Sequence, residues 1–379
     1  MATTAETIIR DSRADHRNYQ IRLADKVTGY FNRDVKSAII NSPTGSGKTI
    51  IGLTIARCLQ LERNIGIGWV AMRRTLLRQA AAMNRDMGIG VENMRYISMF
   101  EKKPPTHDEQ GRRLELLVVD EAQHDAANSM SNIHNIVQPK QILGLTATPY
   151  RTDRIRLCFD KVVRDIGIHQ LIQGGYLSQY HQYTIPGWTV DQVVETYLRE
   201  PERWGRSVMY WHKREDAIDC MARLQQKGVR AAAVFGDHPM AIREDRLDRF
   251  EAGEIDVLVN MALLTEGWDS PGLKTVFVRD SQKGPTIQMA GRVFRKYPDI
   301  EFKQVVQSIN TGYPIQREAS PAEAFVWMDD SWRSYKQSKQ IETVSYKMLL
   351  TIAKTQTSMP DFIEKKRARQ LGGWVDPDA

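Results

Sequence analysis

Ser37-Ala-Ile-Ile-Asn-Ser-Pro-Thr-Gly-Ser-Gly-Lys-Thr49 reads as a short apolar strand running straight into a glycine-rich turn. An apolar helical pattern through Ile51, Ile55 and Leu59 follows at once. Strand, loop and helix in that order make a phosphate-binding loop. Gly45 and Gly47, with Ser46 between them, let backbone N–H groups close around phosphate oxygens, and the helix N-terminus adds positive potential. Lys48 is placed to reach the β- and γ-phosphates, and the Thr49 hydroxyl to bind Mg²⁺. The ligand implied is a nucleoside triphosphate. Ser42 stands where the strict pattern has glycine.

Outward from the loop, short apolar runs alternate with helical patterns. Ile65-Gly-Ile-Gly-Trp-Val-Ala71, Leu114-Glu-Leu-Leu-Val-Val-Asp120 and Ile142-Leu-Gly-Leu-Thr146 read as further buried strands, each separated by enough chain for a crossover helix. A second series follows in Val208-Met-Tyr-Trp211, Ala231-Ala-Ala-Val-Phe235, Asp256-Val-Leu-Val259 and Thr275-Val-Phe-Val278. The fold class is therefore α/β, with two parallel-sheet domains in tandem. Pro186 and Gly187 break the pattern, which sets the expected domains at 1–185 and 186–312, with a polar, mainly helical, basic extension over 313–379. Asp120 ends its strand, where a carboxylate projects past the sheet edge toward the ligand crevice and can hold a metal. Glu121 beside it can orient and deprotonate an attacking water.

Composition bounds the remaining choices. Over 379 residues, 41% are hydrophobic and 26% charged, which is ordinary globular usage and excludes disordered, collagenous and coiled-coil chains. No run approaches the roughly 18 apolar residues of a membrane span, and the first residues lack a signal pattern. The three cysteines are scattered, as in a reducing compartment, and a cytoplasmic setting in a bacterial or phage-infected cell is expected. The net charge is +7, and the chain from Ser331 onward holds nine Lys/Arg against five Asp/Glu.

Taken together, Pro43-Thr-Gly-Ser-Gly-Lys-Thr49, Asp120-Glu-Ala-Gln-His124, Thr146-Ala-Thr-Pro149 and Gln288-Met-Ala-Gly-Arg-Val-Phe-Arg295 resemble motifs I, II, III and VI of superfamily 2 helicases, the DEAD/DEAH-box-like group, in the family's order. Leu264-Thr-Glu-Gly-Trp-Asp-Ser-Pro271 resembles motif V, and Arg17-Asn-Tyr-Gln20 the adenine-recognising element upstream of motif I. Details of motifs II and V, with Leu171-Ile-Gln-Gly-Gly-Tyr-Leu177, are most similar to the branch containing XPB and the UvsW-type phage helicases. The resemblance implies two RecA-like domains sharing ATP and Mg²⁺. It assigns Lys48 and Thr49 to phosphate and metal, Asp120 to the metal, Glu121 to the water, and Arg17 and Gln20 to adenine. It further implies that His124, Thr146 and Thr148 couple nucleotide state to the domain interface. Gly267, Asp269 and Gln288 would face the nucleotide from the second domain, with Arg292 and Arg295 as arginine fingers.

The track is less legible. Arg73 and Arg74 stand in the place of a phosphate-contacting motif, and Ser98 in that of the next hydroxyl contact. The lysines and arginines from Lys336 to Arg369, interleaved with Trp332, Tyr335, Tyr346 and Trp374, either follow a nucleic-acid backbone or dock on the second domain. The expectation is an ATP-dependent motor on DNA rather than RNA. An RNA helicase, or a motor subunit that relies on a protein partner for strand separation or targeting, are the alternatives.

Overall fold

The computed structural model describes residues 4–124, 127–147, 158–261, 264, 268, 270–328, 330–334 and 351. Two units emerge. The first comprises Met1–Ser178, Leu264–Ser270 and Lys283–Lys296; the second comprises Gln179–Leu263, Pro271–Gln282 and Tyr297–Ala379.

The sheet of the first unit is built from β1 (Ser37–Asn41), β2 (Gly66–Ala71), β3 (Arg95–Ser98), β4 (Leu114–Asp120), β5 (Gln141–Thr146) and β6 (Lys161–Val163). Their order is β3-β2-β4-β5-β1-β6 and every pairing is parallel. Strands covered on both faces read as unbroken apolar runs. Ala38, Ile39 and Ile40 of β1 are buried without remainder, each isoleucine contributing roughly 2 kcal/mol of burial. Helices α1 (Thr4–Asp11), α2 (Asn18–Phe31), α3 (Lys48–Arg63), α4 (Arg74–Met87), α5 (Ala127–Val137) and α6 (Ile168–Gln173) belong to this unit. After Arg63, Asn64 closes α3 in the left-handed conformation, its N–H returning to the Gln60 carbonyl.

The second unit adds β7 (Tyr180–Ile185), α7 (Val190–Arg199), α8 (Pro201–Trp204), β8 (Ser207–Tyr210), α9 (Arg214–Gln226), β9 (Ala231–Ala233), α10 (Met240–Glu251), β10 (Val257–Asn260) and β11 (Thr275–Val278). Past α11 (Lys283–Gly291), which packs in the first unit, come β12 (Lys303–Ser308), β13 (Glu323–Met328) and β14 (Ser331–Ser334). The eight strands run in the order β14-β13-β7-β12-β11-β8-β10-β9, parallel except for the β13–β14 hairpin. Tyr183, Trp204, Trp211 and Phe277 anchor its core.

Two expectations need correction. The units part after Ser178 rather than at residue 185, because β7 is hydrogen-bonded between β12 and β13 and belongs to the second sheet. Residues 323–328 and 331–334, expected within a mainly helical extension, form the paired strands at that sheet's edge. There the indole N–H of Trp332 donates to Glu200 Oε2 at 2.8 Å, and its ring stands edge-on to Tyr183 at 4.9 Å. The lysines and arginines between Lys336 and Arg369, with Tyr335, Tyr346 and Trp374, lie outside the described residues. No helix among the described residues is long and apolar enough to cross a membrane.

Candidate active site

The turn from β1 into α3 is held before any ligand arrives. Ser42 N–H donates to the Thr146 carbonyl at 3.0 Å, and Ser46 N–H to Pro43 at 3.2 Å. Gly45 (φ 80°) and Gly47 (φ 78°) take the left-handed conformation that side chains resist. A Cβ at Gly47 would collide with the Gln20 side chain, and one at Gly45 would press on Leu177. Gln20 Nε2 and Tyr19 Oη both donate to the Ser46 carbonyl, at 2.9 and 2.6 Å. The segment read as adenine-recognising thus also clamps the phosphate loop. Above it, the Arg17 guanidinium lies 5.2 Å from the Tyr176 ring centroid, and Tyr19 meets Tyr176 edge-on at 5.6 Å.

Asp120 closes β4 and is 6% exposed. Burial, then the neighbouring Glu121, push its carboxyl up to about 7, with Lys48 opposing. Glu121 sits at φ 51°, a conformation that costs energy in a non-glycine residue, and its N–H donates to Asp120 Oδ1 at 3.0 Å. From its carboxylate a relay runs onward: Gln123 Nε2 donates to Glu121 Oε2 at 2.9 Å, and Thr146 Oγ1 donates to Gln123 Oε1 at 2.5 Å. Thr146 also receives Ser42 through its carbonyl, so the acid pair, β5 and the phosphate loop form one hydrogen-bonded circuit. Among the residues assigned to coupling, Thr146 lies in this circuit. Its described link is Gln123, which stands inside the quoted motif but carried no role there. Thr148, Gly267 and Asp269, like the side chain of His124, lie outside the described residues.

The basic side of the site comes from late in the chain. Gly291, in α11, faces the loop so closely that a Cβ would stand 3.1 Å from Thr44 Cβ. Arg292, 8% exposed, donates from Nη1 to the Trp268 carbonyl at 2.6 Å. Arg295 passes its Cγ beside Gly45, while Ser178 fixes the backbone around it, donating from N to Phe294 at 2.7 Å and from Oγ to Arg295 at 3.3 Å. Burial lowers the Lys48 ammonium pKa; Glu121 and Asp120 counter that shift, and Arg292 and Arg295 reinforce it. Five charged groups therefore share one field. Gln288, on the same helix, is half-buried.

Arg73 is extended before α4, Arg74 is its exposed first residue, and Ser98 ends β3. Register pairs Ala71 with Ser98, so all three stand at the same end of adjacent strands. Ser98 Oγ accepts the Phe100 N–H at 3.4 Å, a turn-capping use, and Phe100 is 57% exposed beside it.

Asp120 allows a stability test. A buried carboxyl raised to about 7 favours folding below its unfolded value near 4, and that contribution is lost as pH rises through 7. Asp120→Asn should therefore melt at a higher temperature than the parent at pH 8 without ligand. The gain should shrink as pH falls toward 5. An equal or lower melting temperature at pH 8 contradicts this.

Comparison with known proteins finds helicases and helicase-type domains. The model described as Helicase conserved C-terminal domain matches residues 189–297. That of the Type III restriction enzyme, res subunit, matches 13–103 and 91–151. Putative ATP-dependent helicase IRC3 of Saccharomyces cerevisiae is 22% identical over 352 residues, covering 77% of this chain and 51% of that protein. Putative DNA 3'-5' helicase Rad25 of Haloarcula marismortui is 24% identical over 340 residues, covering 78% and 53%. The chain spans about half the length of the curated relatives it matches. S. cerevisiae Dbp5 bound to RNA and ADP BeF3 shares the fold at TM-score 0.57 and 14% identity, over 88% of this chain and 98% of that one. Loop and sheets define a P-loop α/β protein with two RecA-like domains. By these matches the chain is similar to superfamily 2 helicases, a Rad25-type and a viral member among them.

Proposed function

We propose that the chain is an ATP-dependent motor on nucleic acid, with DNA as its preferred track. The observation that carries this is the gathering of Lys48, Asp120, Glu121, Arg292 and Arg295 into one electrostatic cluster over the loop of Gly45 and Gly47. The fit to ATP and Mg²⁺ rests on what the site leaves open. Among the described residues, Ser46 Oγ and Gln20 Oε1 are buried side-chain atoms with no hydrogen-bond partner. A buried polar atom without a partner costs about 1–3 kcal/mol, which a ligand can recover. Gln20 offers its acceptor to the base, and Lys48 meets the phosphates. Thr49 and Asp120 would hold the magnesium ion, which when bound neutralises charge on the β- and γ-phosphates. Glu121 orients and deprotonates water, and Arg292 and Arg295 neutralise charge developing on the γ-phosphoryl group. Through Gln123 and Thr146, loss of that charge is passed to the start of the phosphate loop, which gives the cycle two states.

The preference for DNA rests on similarity to the Rad25-type relative and to the restriction-enzyme model, and by the same analogy movement is 3′ to 5′. Arg73 and Arg74 would contact backbone phosphates, with Ser98 beside them. ATP turnover measured in parallel with single-stranded, duplex and forked DNA and with RNA tests the reading. DNA should stimulate at least about tenfold more than RNA, a difference of roughly 1.4 kcal/mol in barrier. Equal or greater stimulation by RNA would reverse the track, and no turnover with any of them would end the proposal. Turnover without strand separation would instead assign unwinding to a protein partner.

A further inference from the structure

Lys303 opens β12 and is 0% exposed. An ammonium stripped of water persists only where the fold supplies acceptors. Here Nζ donates to the Pro271 carbonyl at 2.6 Å and to Leu273 at 2.5 Å, and it stands 6.0 Å from the Tyr297 ring centroid. The backbone N–H of the same residue donates to Gln179 at 3.0 Å. Gln179, Pro271 and Tyr297 are the first residues of the second unit at each of the three places where the chain arrives from the first. One residue thus grips every arrival point, two of them through its side chain. The segments that end there, Leu264–Ser270 and Lys283–Lys296, carry Trp268, Arg292 and Arg295.

We propose that Lys303 is a positioning residue, its ammonium clasping the roots of these two segments so that Arg292 and Arg295 are presented at a fixed height to the phosphate loop; this rests on the ATP-site reading above. A carbonyl pair held by one small cation fixes the turn at 271–273 more tightly than apolar packing, which has no direction. Stability alone does not explain a buried lysine, since a well-packed apolar replacement of a buried charge is often neutral or stabilising.

Lys303→Met keeps length and removes the charge. Hydrogen–deuterium exchange of the full chain should quicken in peptides spanning 270–275 and 297–303, with β8 and β10 unchanged. The turnover number should fall between about tenfold and a hundredfold, as for misplaced catalytic groups, with KM for ATP and melting temperature close to the parent's. Lys303→Arg, which keeps cation and donors, should restore most of both. Unaltered exchange overturns the clasp. Faster exchange with parental turnover overturns the positioning role, as does a loss of turnover matched by equal losses of nucleotide affinity and melting temperature. An Arg variant as impaired as the Met variant does the same. Should Lys303→Met not fold, Lys303→Gln replaces it under the same readouts. Absence of turnover in the parent itself would instead count against the ATPase, and the exchange result would still decide the clasp.

Discussion

Arg295→Ala should lower ATP turnover by about a thousandfold or more, the usual effect of removing a cation from the γ-phosphoryl group at its transition state. The physical basis is the approach of its side chain to Gly45 and its field on Lys48. Because the charge matters most as the phosphoryl group leaves, the loss should fall on the turnover number rather than on KM. Nucleotide binding should survive, because Lys48 and the loop bonds from Tyr19 and Gln20 do not depend on Arg295. Arg295→Lys should recover little, since an ammonium lacks the planar fork that meets two phosphate oxygens at once. Single-turnover hydrolysis and equilibrium nucleotide binding on the same preparation check this. Turnover within about tenfold of the parent would remove Arg295 from the reaction.

Glu121→Gln should bind ATP as the parent does and hydrolyse it about 100- to 10,000-fold more slowly, the range for a lost general base. The substitution is close to isosteric, and the glutamine carbonyl oxygen can still accept from Gln123. The positive φ at 121 strains glutamine and glutamate alike, so the backbone has no reason to rearrange. Melting temperature and nucleotide affinity should stay near parental values while the chemical step collapses. Near-normal hydrolysis would assign the water to another group.

Much of the fold was legible because parallel strands buried on both faces are apolar along their length. β1, β4 and β11 fall on the residues where such runs stand. β7 and β12 escaped the same reading because their interiors hold Gln182, Thr184, Gln304 and Gln307, all buried. Gln307 takes the Ile315 N–H and donates to Tyr313 in the loop that follows β12, while a long-range bond helps to stabilise Gln304, which donates to the Arg203 carbonyl. No local pattern encodes partners that far along the chain. The β13–β14 hairpin did leave a trace, the alternate burial of Ala324, Val326 and Met328, but the aromatic residues between them masked it. At the site, the chemistry-bearing residues were readable from type and spacing. Tyr19, Gln123 and Tyr176 were not, because their contributions arise from contacts that only the folded chain brings about.

Tyr19 Oη and one N–H of Gln20 Nε2 are spent on a single carbonyl, that of Ser46, while the buried Gln20 Oε1 is left as the acceptor that can face a purine. A 6-amino group brings the hydrogen that oxygen lacks. A 6-oxo group sets lone pair against lone pair, and the repulsion is delivered to the very amide that steadies the turn beneath the phosphates. Guanine would therefore be turned away less by a poor fit at the rim than by slackening the grip on its own triphosphate.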